Sequence, residues 1–347
     1  MPTPPVDPAA AGHPDPDHTD ADPPTMRAAV RRTYGPAAQI RTENVSRPRP
    51  GDGEVLLQVQ AAGLDRGVWH LTTGRPYLLR LVFGLRRPRE PILGLDVAGT
   101  VVDVGPAVTK FGVGDEVYGF GTGSFAEFAV ASEDKLSPKP SQLTFEQAAV
   151  VPVSGATALQ ALVDVGRLQP GHRVLVNGAS GGVGTYVVQL ACAMGAEVTG
   201  VASAAKLDLV RSLGATDVVD YHREDFASRG KRYDLIVDIG GTPRLSRLRR
   251  ALTPTGTAVL VGGEEGGSWT GGLDRTLRAL IVSASGRQRV AGFVAKQRSS
   301  DLDVLADYID AGQLTPIVDS TYPLEATAEA VRLLEAGRAA GKIAIVV

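Results

Sequence analysis

A glycine-rich stretch from Val174 to Thr185 has the residue types and the spacing of an anion-binding turn. In its sequence, VLVNGASGGVGT, three apolar residues precede glycines at Gly178, Gly181 and Gly184, and a helical pattern follows. The first N–H groups of such a helix have no partner, and the helix dipole makes that end positive. Glycine also lets a pyrophosphate approach the bare backbone. An ordinary tight turn is the alternative, but the place of the stretch at the first strand-to-helix turn of an alternating region favours a dinucleotide site.

The end of the second strand in this region indicates which dinucleotide binds. A site for NAD usually has an acidic residue there, which binds the ribose 2′-hydroxyl. Here the strand from Val198 leads to Ser203 and Lys206, and the first acid, Asp208, already lies in the next predicted helix. A hydroxyl and an ammonium suit a 2′-phosphate, through a hydrogen bond and a charge-assisted contact. The sequence therefore favours NADPH, with a merely solvated Lys206 as the alternative.

Apolar strands and helical patterns alternate from about Thr144 onwards, which is typical of a doubly wound parallel sheet. The predicted strands are 173–176, 198–201, 217–219, 235–238 and 257–261, and the predicted helices between them are 185–194, 206–213 and 245–251. From Met26 to about Lys139, short strands separated by turns predict a compact β-barrel-like domain. After residue 286 the pattern predicts a helix (302–310), a strand (316–319), a helix (326–334) and a last strand (342–347). We expect this last strand to pair with the first domain.

The bulk properties are those of an ordinary globular protein of about two domains. The 347 residues carry a net charge of −2, so no large electrostatic field is expected to attract nucleic acid or a membrane. Cys192 is the single cysteine, which excludes disulfides within the chain and zinc sites with several thiolates, and fits a reducing cytoplasm. No apolar run approaches the roughly 20 residues of a membrane span, so stable membrane insertion is not expected.

Residues 1–25 differ from the rest of the chain. They contain eight prolines, five aspartates and no lysine or arginine. Such a composition cannot build a core, and we expect a disordered tail. His13 and His18 are interpreted as solvated residues of this tail rather than metal ligands. The stretch also lacks the basic start and apolar centre of a secretory signal.

From Met26 to Val347 the chain resembles the medium-chain dehydrogenase/reductase superfamily, in its zinc-free quinone oxidoreductase type. The motifs that carry the resemblance are 91–101 (PILGLDVAGTV), 112–119 (GVGDEVYG), 124–128 (SFAEF), 177–184 (NGASGGVG) and 213–221 (LGATDVVDY). The resemblance implies an α/β fold in which a Rossmann domain is inserted in a GroES-like, β-barrel-type catalytic domain. The expected boundaries are 26–150 for the first part of the catalytic domain, 151–285 for the NADPH-binding domain and 286–347 for the return. A homodimer through the edge of the nucleotide domain is also implied.

The same resemblance implies which residues hold the cofactor. Thr157 is expected near the nicotinamide, and Tyr221 near the adenosine ribose, beside Ser203 and Lys206. The other expected contacts come from the glycine loop and from the residue after the strand 257–261. They are Ser180, Gly181, Gly182, Val183, Gly184 and Gly262.

Zinc members of this superfamily hold a catalytic metal with a cysteine and a His-Glu pair in the first domain. The corresponding stretches here are 61–65 (AAGLD) and 94–96 (GLD), which contain neither cysteine nor histidine. No metal ligand is therefore assigned, and the zinc route between an alcohol and a ketone is not expected. The suitable hydride acceptor is then already electron-poor: a quinone, or a carbon–carbon double bond conjugated to a carbonyl.

Candidate catalytic residues lie in the stretch 65–77 (DRGVWHLTTGRPY). The family usually has an asparagine where Asp65 stands, in contact with cofactor and substrate, and Asp65 has the same size but lacks the amide donor. His70 and Tyr77 could each donate a hydrogen bond or a proton to the carbonyl oxygen as enolate charge develops. The alternative is that both only line the cleft and that solvent protonates the product.

The stretch 77–89 (YLLRLVFGLRRPR) is apolar and contains four arginines. It is interpreted as a lid over a small hydrophobic substrate, because the resemblance places this loop at the mouth of the cleft, with contact to a membrane surface as the alternative. Reduction of a quinone or enone by NADPH is thus the leading hypothesis. Enoyl reduction of a biosynthetic intermediate, favoured if a basic surface could dock an acidic carrier, and non-catalytic nucleotide binding, suggested by Asp65, remain as alternatives.

Overall fold

The computed structural model describes residues 24–261, 269, 275, 279 and 287–347, which form two large sheets, a two-stranded pair and the helices around them. The strands are β1 (Thr25–Val30), β2 (Arg41–Ser46), β3 (Glu54–Leu64), β4 (Asp96–Val104), β5 (Glu116–Phe120), β6 (Phe128–Ser132), β7 (Leu136–Pro138), β8 (Arg173–Asn177), β9 (Glu197–Ala202), β10 (Asp217–Asp220), β11 (Tyr233–Asp238), β12 (Leu252–Leu260), β13 (Arg289–Gly292), β14 (Val318–Pro323) and β15 (Lys342–Val346). The helices are α1 (Arg66–Thr73), α2 (Arg80–Phe83), α3 (Phe145–Ala149), α4 (Pro152–Gln160), α5 (Gly182–Ala193), α6 (Leu207–Ser212), α7 (Leu245–Ala251), α8 (Ser299–Asp310) and α9 (Thr327–Glu335).

One sheet is parallel, with the strand order β10-β9-β8-β11-β12-β13 among the described residues. Its central strand β8 is buried on both faces. Val174 and Val176 join one apolar core with α5, and Leu175 joins a second core with Leu248 of α7. The chain order reverses between β8 and β11, and the carboxyl ends of strands at such a reversal form the crevice in which open α/β sheets bind ligands.

The second sheet has the order β14-β15-β3-β4-β5-β7, with β6 also paired to β3. β15 runs antiparallel to β3, with Ile343 opposite Leu64, so the end of the chain completes the sheet that its beginning starts. Val55, Leu57 and Val59 alternate along β3 into the core of this sheet. The start of the last strand thus lies beside the residue that follows β3.

Helices α3 and α4 connect the two sheets. α3 begins at Thr144, whose hydroxyl accepts from the N–H of Gln147 while the Gln147 side chain accepts from the N–H of Thr144, which is a capping box. α4 packs against both α5 and α8. The buried hydroxyl of Tyr186 on α5 donates to the carbonyl of Val150 at 3.0 Å and fixes the parallel sheet against this connection.

Two boundaries differ from those predicted from the sequence. Thr25, assigned to the tail, begins β1 and pairs with Ser46, because the neighbouring Met26 is buried. The return segment was expected from residue 286, but β13 pairs with β12 and belongs to the parallel sheet. The short apolar run of β13, between Arg289 and Gly292, gives too weak a periodic signal to be recognised. Gly262 lies outside the described residues, and no helix within them is long and apolar enough to cross a bilayer.

Candidate active site

The glycine loop connects β8 to α5 at the point where the strand order of the parallel sheet reverses. Gly178 has a φ of 86°, in the left-handed region that glycine adopts without strain. A Cβ on Gly184 would overlap the carbonyl oxygen of Gly178, so the absence of a side chain lets the helix pack directly on the turn. These two glycines are therefore required by the backbone of the protein itself, whatever it binds.

The outer side of the same loop is open and polar. Gly181 is the N-cap of the 12-residue helix α5, and a Cβ on it would meet nothing nearer than the carbonyl oxygen of Gly178, at 3.5 Å. The N–H groups of Val183 and Gly184 have no hydrogen-bond partner in the described part of the chain, whereas Gly182 lies beside the parallel bridge between Gly181 and Gly341. Free N–H groups at the positive end of a helix bind anions. This side of the loop fits the diphosphate of a dinucleotide.

Ser203 and Tyr221 lie side by side at the carboxyl ends of β9 and β10. Ala202 is paired with Asp220, and the N–H of Tyr221 donates to the carbonyl of Ala202 at 3.3 Å. The Tyr221 side chain is exposed, with its ring 4.2 Å from that of His222. A hydroxyl next to an exposed aromatic ring suits the ribose and base of an adenosine.

Lys206 is partly buried and bonded rather than freely solvated. Its Nζ donates to the carbonyl of Ala339 at 2.7 Å and to that of Gly337 at 3.5 Å. Burial lowers the pKa of Lys206, and Asp319 opposes this shift. An ammonium has three donors, so one remains after these two bonds for a phosphate oxygen.

A buried ion pair lies next to the glycine loop. Lys342 Nζ is 3.3 Å from Asp96 Oδ2, and the two side chains are 2% and 0% exposed. Asp96 Oδ1 accepts from the N–H of Val153, in the first turn of α4, at 2.9 Å. Burial raises the pKa of Asp96 to about 7, with Lys342 opposing the shift and the neighbouring Asp65 adding to it. One carboxylate therefore joins β4, β15 and α4.

The residues on either side of this lysine bring the two sheets together. Gly341 donates its N–H to the carbonyl of Ser180 in the glycine loop, at 3.0 Å. Ile343 is paired with Leu64, the residue immediately before Asp65. The start of β15 thus contacts the glycine loop, contains the lysine of the buried ion pair and lies beside the end of β3, which Asp65 follows.

Asp65 is buried at the N-cap of α1. Its Oδ1 accepts from the N–H of Val68 at 3.2 Å, whereas its Oδ2 is buried and has no hydrogen-bond partner among the described residues. A buried polar atom without a partner costs free energy unless a ligand satisfies it. Asp65 is therefore placed to accept a hydrogen bond from a ligand, but as a carboxylate it cannot donate one in the way that asparagine does.

His70 and Tyr77 are not joined to Asp65, or to each other, by any hydrogen bond among the described residues. His70 Nδ1 lies 2.8 Å from the carbonyl oxygen of Arg75, so Nδ1 carries a proton and Nε2 of the neutral ring is an acceptor. Tyr77 packs edge-on against Trp269, with the ring centroids 5.2 Å apart. The structure does not assemble the three residues into a proton relay.

Thr157 lies on α4, one turn after the amide that binds Asp96. Its hydroxyl donates to the carbonyl of Val153 at 2.6 Å, and the side chain is half-buried. Because the proton of the hydroxyl is used inside the helix, only its lone pairs remain for a ligand.

Comparison with known proteins identifies the family. A family model described as the alcohol dehydrogenase GroES-like domain matches residues 51–141, and one described as zinc-binding dehydrogenase matches residues 213–345. The chloroplast envelope quinone oxidoreductase homolog of Arabidopsis thaliana is 32% identical over 336 residues, which cover 92% of this chain and 98% of that protein. The chain belongs to the quinone oxidoreductase-like group of the medium-chain dehydrogenase/reductase superfamily. It is therefore an oxidoreductase, and the alternative of a non-catalytic nucleotide-binding protein is wrong.

Two further known proteins resemble the chain over most of its length. The 2-methylene-furan-3-one reductase of Solanum lycopersicum is 30% identical over 340 residues, which cover 93% of this chain and 79% of that protein. The solved structure of a mycobacterial protein in complex with NADPH matches with a TM-score of 0.80 and 27% identity, covering 93% of this chain and 100% of that one. The predicted combination of a GroES-like domain with a Rossmann-type nucleotide-binding domain is confirmed.

The residues at the superfamily's zinc positions do not fit a zinc ion. They offer only Asp65 and Asp96, of which the first accepts from the amide of Val68 and the second is paired with Lys342. Within 24–261 and 287–347, no three His, Cys, Asp or Glu side chains are grouped closely enough to hold a metal. Catalytic zinc takes three protein ligands, most often His, Cys or Glu, plus water. No step through a metal is therefore derived for this member.

A polar network at the strand reversal was not predicted from the sequence. Asn177 Nδ2 donates to Asp238 Oδ1 at 2.7 Å and also to the carbonyl of Gly240, which joins the ends of β8 and β11. Asp238 Oδ2 lies 2.6 Å from Arg275 Nη2. Burial raises the pKa of Asp238, and Arg275 opposes the shift. The polar residue at the end of each apolar strand is the signal that could have indicated this network.

The loop before β15 was also missed. Arg338 is exposed between the two residues whose carbonyls bind Lys206, and its side chain has no hydrogen-bond partner among the described residues. Lys342 was assigned to a strand and not to the site. Its position directly after Gly341, at the start of an apolar run, was the available signal, but sequence order cannot show that Asp96 lies opposite.

Alanine substitutions at Gly184 and Gly181 should have different effects, one mainly on stability and the other mainly on cofactor binding. Gly184→Ala should lower the free energy of unfolding by about 1–3 kcal/mol, because its Cβ overlaps the backbone of the turn. Gly181→Ala meets open space and should cost at most about 1 kcal/mol as a weaker cap, while weakening NADPH binding. Urea unfolding and calorimetric titration with NADPH measure the two effects, and equal losses of stability in both variants would contradict this assignment.

Asp96→Asn should change how the stability of the protein depends on pH, because burial raises the pKa of the Asp96 carboxyl group. The pKa of Asp96 in the folded state, about 7, lies above the ordinary value of 3.8. The folded state therefore binds this proton more tightly than the unfolded state does. The proton's contribution to the free energy of unfolding is lost as the pH rises towards 7. The asparagine variant does not titrate at this position. Wild-type stability relative to the variant should therefore fall by about 3 kcal/mol between pH 5 and pH 8. A constant difference in urea unfolding across this range would show that Asp96 is ionised throughout.

Proposed function

We propose that this oxidoreductase uses NADPH to transfer a hydride to a quinone or to an α,β-unsaturated carbonyl compound. The observation that carries the proposal is the grouping of Ser203, Lys206 and Tyr221 at the ends of β9 and β10, beside a loop with free N–H groups. Bound NADPH supplies the hydride. The similarity to a quinone oxidoreductase homolog and to a furanone reductase supports the class of acceptor.

The preference for NADPH over NADH rests on the residues that would face the 2′ position. Ser203 offers a hydroxyl and Lys206 a remaining N–H donor, and Arg338 lies on the loop that holds Lys206. Asp208 does not take the place of the ribose-binding acid, because it is paired with Arg211 at 2.6 Å and is exposed in α6. Two cationic side chains and a hydroxyl suit a phosphate far better than a diol.

The proposed role of Asp65 is to orient the cofactor or the substrate. Its unpartnered Oδ2 can accept a hydrogen bond, for which the carboxamide of a nicotinamide has a donor. A carboxylate cannot stabilise the negative oxygen that develops on the acceptor, so that donor must come from another residue. Thr157 is proposed near the nicotinamide, at the end of α4 away from the buried ion pair.

The proposed donors to the developing oxyanion are His70 and Tyr77. Because Nδ1 of His70 is held by a backbone carbonyl, His70 can donate through Nε2 only as the imidazolium, whereas the Tyr77 hydroxyl donates when neutral. One such donor is worth about 3 kcal/mol of transition-state stabilisation in comparable oxyanion sites.

A second candidate function is enoyl reduction of an intermediate bound to an acidic carrier. The observation that favours it is a surface concavity lined by Arg32, Arg86, Arg87 and Arg89. We further propose a reducing compartment such as the cytoplasm for this chain, on the basis of the single Cys192, and a homodimer that pairs through an edge of the parallel sheet.

Lys206→Ala should raise the KM for NADPH by about 10- to 100-fold, because one charge-assisted hydrogen bond to a phosphate is lost. The KM for NADH, which lacks that phosphate, should change little. Lys231→Ala is the matched control, since Lys231 pairs with Asp217 at the opposite end of the strands and should affect neither cofactor. Equal changes for NADPH and NADH would refute the phosphate role.

The reaction itself is tested by the loss of NADPH absorbance with a panel of water-soluble quinones, enals and simple ketones. Turnover with the first two classes and none with ketones is expected, because Asp65 and Asp96 are not placed to hold a Lewis-acid metal that could polarise an isolated carbonyl. Treatment with a zinc chelator should leave the rate unchanged. Turnover of ketones that is abolished by the chelator would overturn the proposal.

A further inference from the structure

The residues from Arg75 to Pro91, here called the basic apolar segment, carry a patch of exposed apolar side chains that the proposed function does not use. Leu81, Val82 and Leu85 are 65%, 61% and 66% exposed. With Leu78 and Phe83, they make up five of the eleven large apolar side chains that are exposed among the described residues. Such a concentration of apolar surface within eight residues indicates a contact with something other than water.

The same segment is strongly basic. It contains five arginines and one glutamate, whereas the whole chain has a net charge of −2. Arg86, Arg87 and Arg89, together with Arg32, line a concavity of about 580 Å³ beside Leu85. Arg32 is paired with Glu43 at 2.6 Å, but the other three guanidinium groups form no hydrogen bond or ion pair with any described residue. Three cations are thus free to bind an anionic group.

Hydrogen bonds to backbone carbonyls hold the segment in place. The apolar side chains of the patch and the arginines of the concavity therefore remain exposed. The hydroxyl of Tyr34 donates to the carbonyl of Gly84 at 2.7 Å. Arg80 Nε donates to the carbonyl of Gly74 at 2.9 Å, with its guanidinium 4.5 Å from the Tyr34 ring centroid. The N–H of Arg89 donates to the carbonyl of Phe83 at 2.9 Å and closes the turn after α2. The conformation of the segment is therefore fixed by contacts with the rest of the protein. Arg80 is partly buried and contributes to these contacts, so it does not belong to the exposed patch.

The chemistry of the patch selects among possible occupants. A second copy of the same surface would place like charges in contact, which disfavours self-association. An acidic protein would satisfy the arginines but would need an apolar groove of its own for Leu81, Val82 and Leu85. A bilayer with anionic lipids offers phosphates and an apolar interior within a few ångströms of each other, and so satisfies both sets of side chains at once.

We propose that the basic apolar segment docks the protein on the surface of an anionic lipid bilayer. Leu81, Val82 and Leu85 enter the boundary between headgroups and acyl chains, and the arginines of the concavity bind lipid phosphates. The segment follows α1 directly, and Arg75 at its start accepts the His70 hydrogen bond through its carbonyl. Docking therefore places the mouth of the candidate site at the membrane. This inference concerns a surface and does not depend on the proposed reaction.

Flotation of the full chain with vesicles tests the proposal without cofactor or substrate. Vesicles of phosphatidylcholine with about 30% phosphatidylglycerol should bind the protein, and vesicles of phosphatidylcholine alone should not. Raising the salt from about 0.1 M to about 0.5 M should weaken the binding, because surface charges are screened. The triple variant Arg86→Ala, Arg87→Ala, Arg89→Ala should bind roughly a hundredfold more weakly.

Matched variants separate this surface from general charge and hydrophobicity. The control for charge removes three exposed arginines elsewhere: Arg49→Ala, Arg250→Ala and Arg332→Ala. The double variant Leu81→Ser, Leu85→Ser should reduce vesicle binding at least tenfold, whereas Val113→Ser, at an exposed apolar residue outside the segment, should not. The melting temperature and NADPH binding of every variant report whether it is folded.

Two outcomes would overturn the proposal. The first is binding that does not require anionic lipid or that both sets of variants weaken equally. The second is absence of binding to the anionic vesicles, and capture of an acidic acyl carrier protein that depends on Arg86, Arg87 and Arg89 would then assign the surface to a protein partner. Loss of turnover alone bears on the reaction and not on this surface.

Discussion

A single buried ion pair, Asp96 with Lys342, holds the candidate site of this oxidoreductase together. Removing two charges from water is costly, and such a pair persists only where further hydrogen bonds satisfy it. Here the amide of Val153 supplies one, so the carboxylate connects the start of a central strand, the last strand and the helix that carries Thr157. Any shift of one of these elements would leave a charge without its partner, which explains how two separately folded sheets keep a common geometry.

The short loop before Lys342 contacts the proposed sites of two groups of the cofactor, its diphosphate and its 2′-phosphate. Gly341 binds the glycine loop through Ser180, where the diphosphate is proposed, and the carbonyls of Gly337 and Ala339 hold Lys206, where the 2′-phosphate is proposed. The end of the catalytic domain thus touches the nucleotide domain at two points. One stretch of backbone therefore contacts the glycine loop, Lys206 and the strand that leads to Asp65.

The candidate site and the basic apolar segment differ in how their polar groups are paired. In the candidate site, the atoms without a hydrogen-bond partner among the described residues include Asp65 Oδ2 and the N–H groups of Val183 and Gly184 at the start of α5. On the basic apolar segment, three arginines and several exposed apolar side chains have no partner among the described residues. These two places differ in the ligand that they suit: the first suits a dinucleotide, and the second an anionic, partly apolar surface.

The sequence alone determined the elements and the type of fold, because periodic apolar residues and glycine turns are local signals. The parallel sheet, the anion-binding turn and the absence of an acid after β9 could all be recognised in this way. The pairings Asp96–Lys342, Asn177–Asp238 and Lys206–Ala339 could not, because each joins residues more than 60 positions apart. Only the tertiary structure shows that a Cβ on Gly184 would overlap the backbone whereas one on Gly181 would meet open space, and that one oxygen of Asp65 has no partner among the described residues. Those distinctions depend on which atoms lie opposite, and the spacing of residue types along a chain does not contain that information.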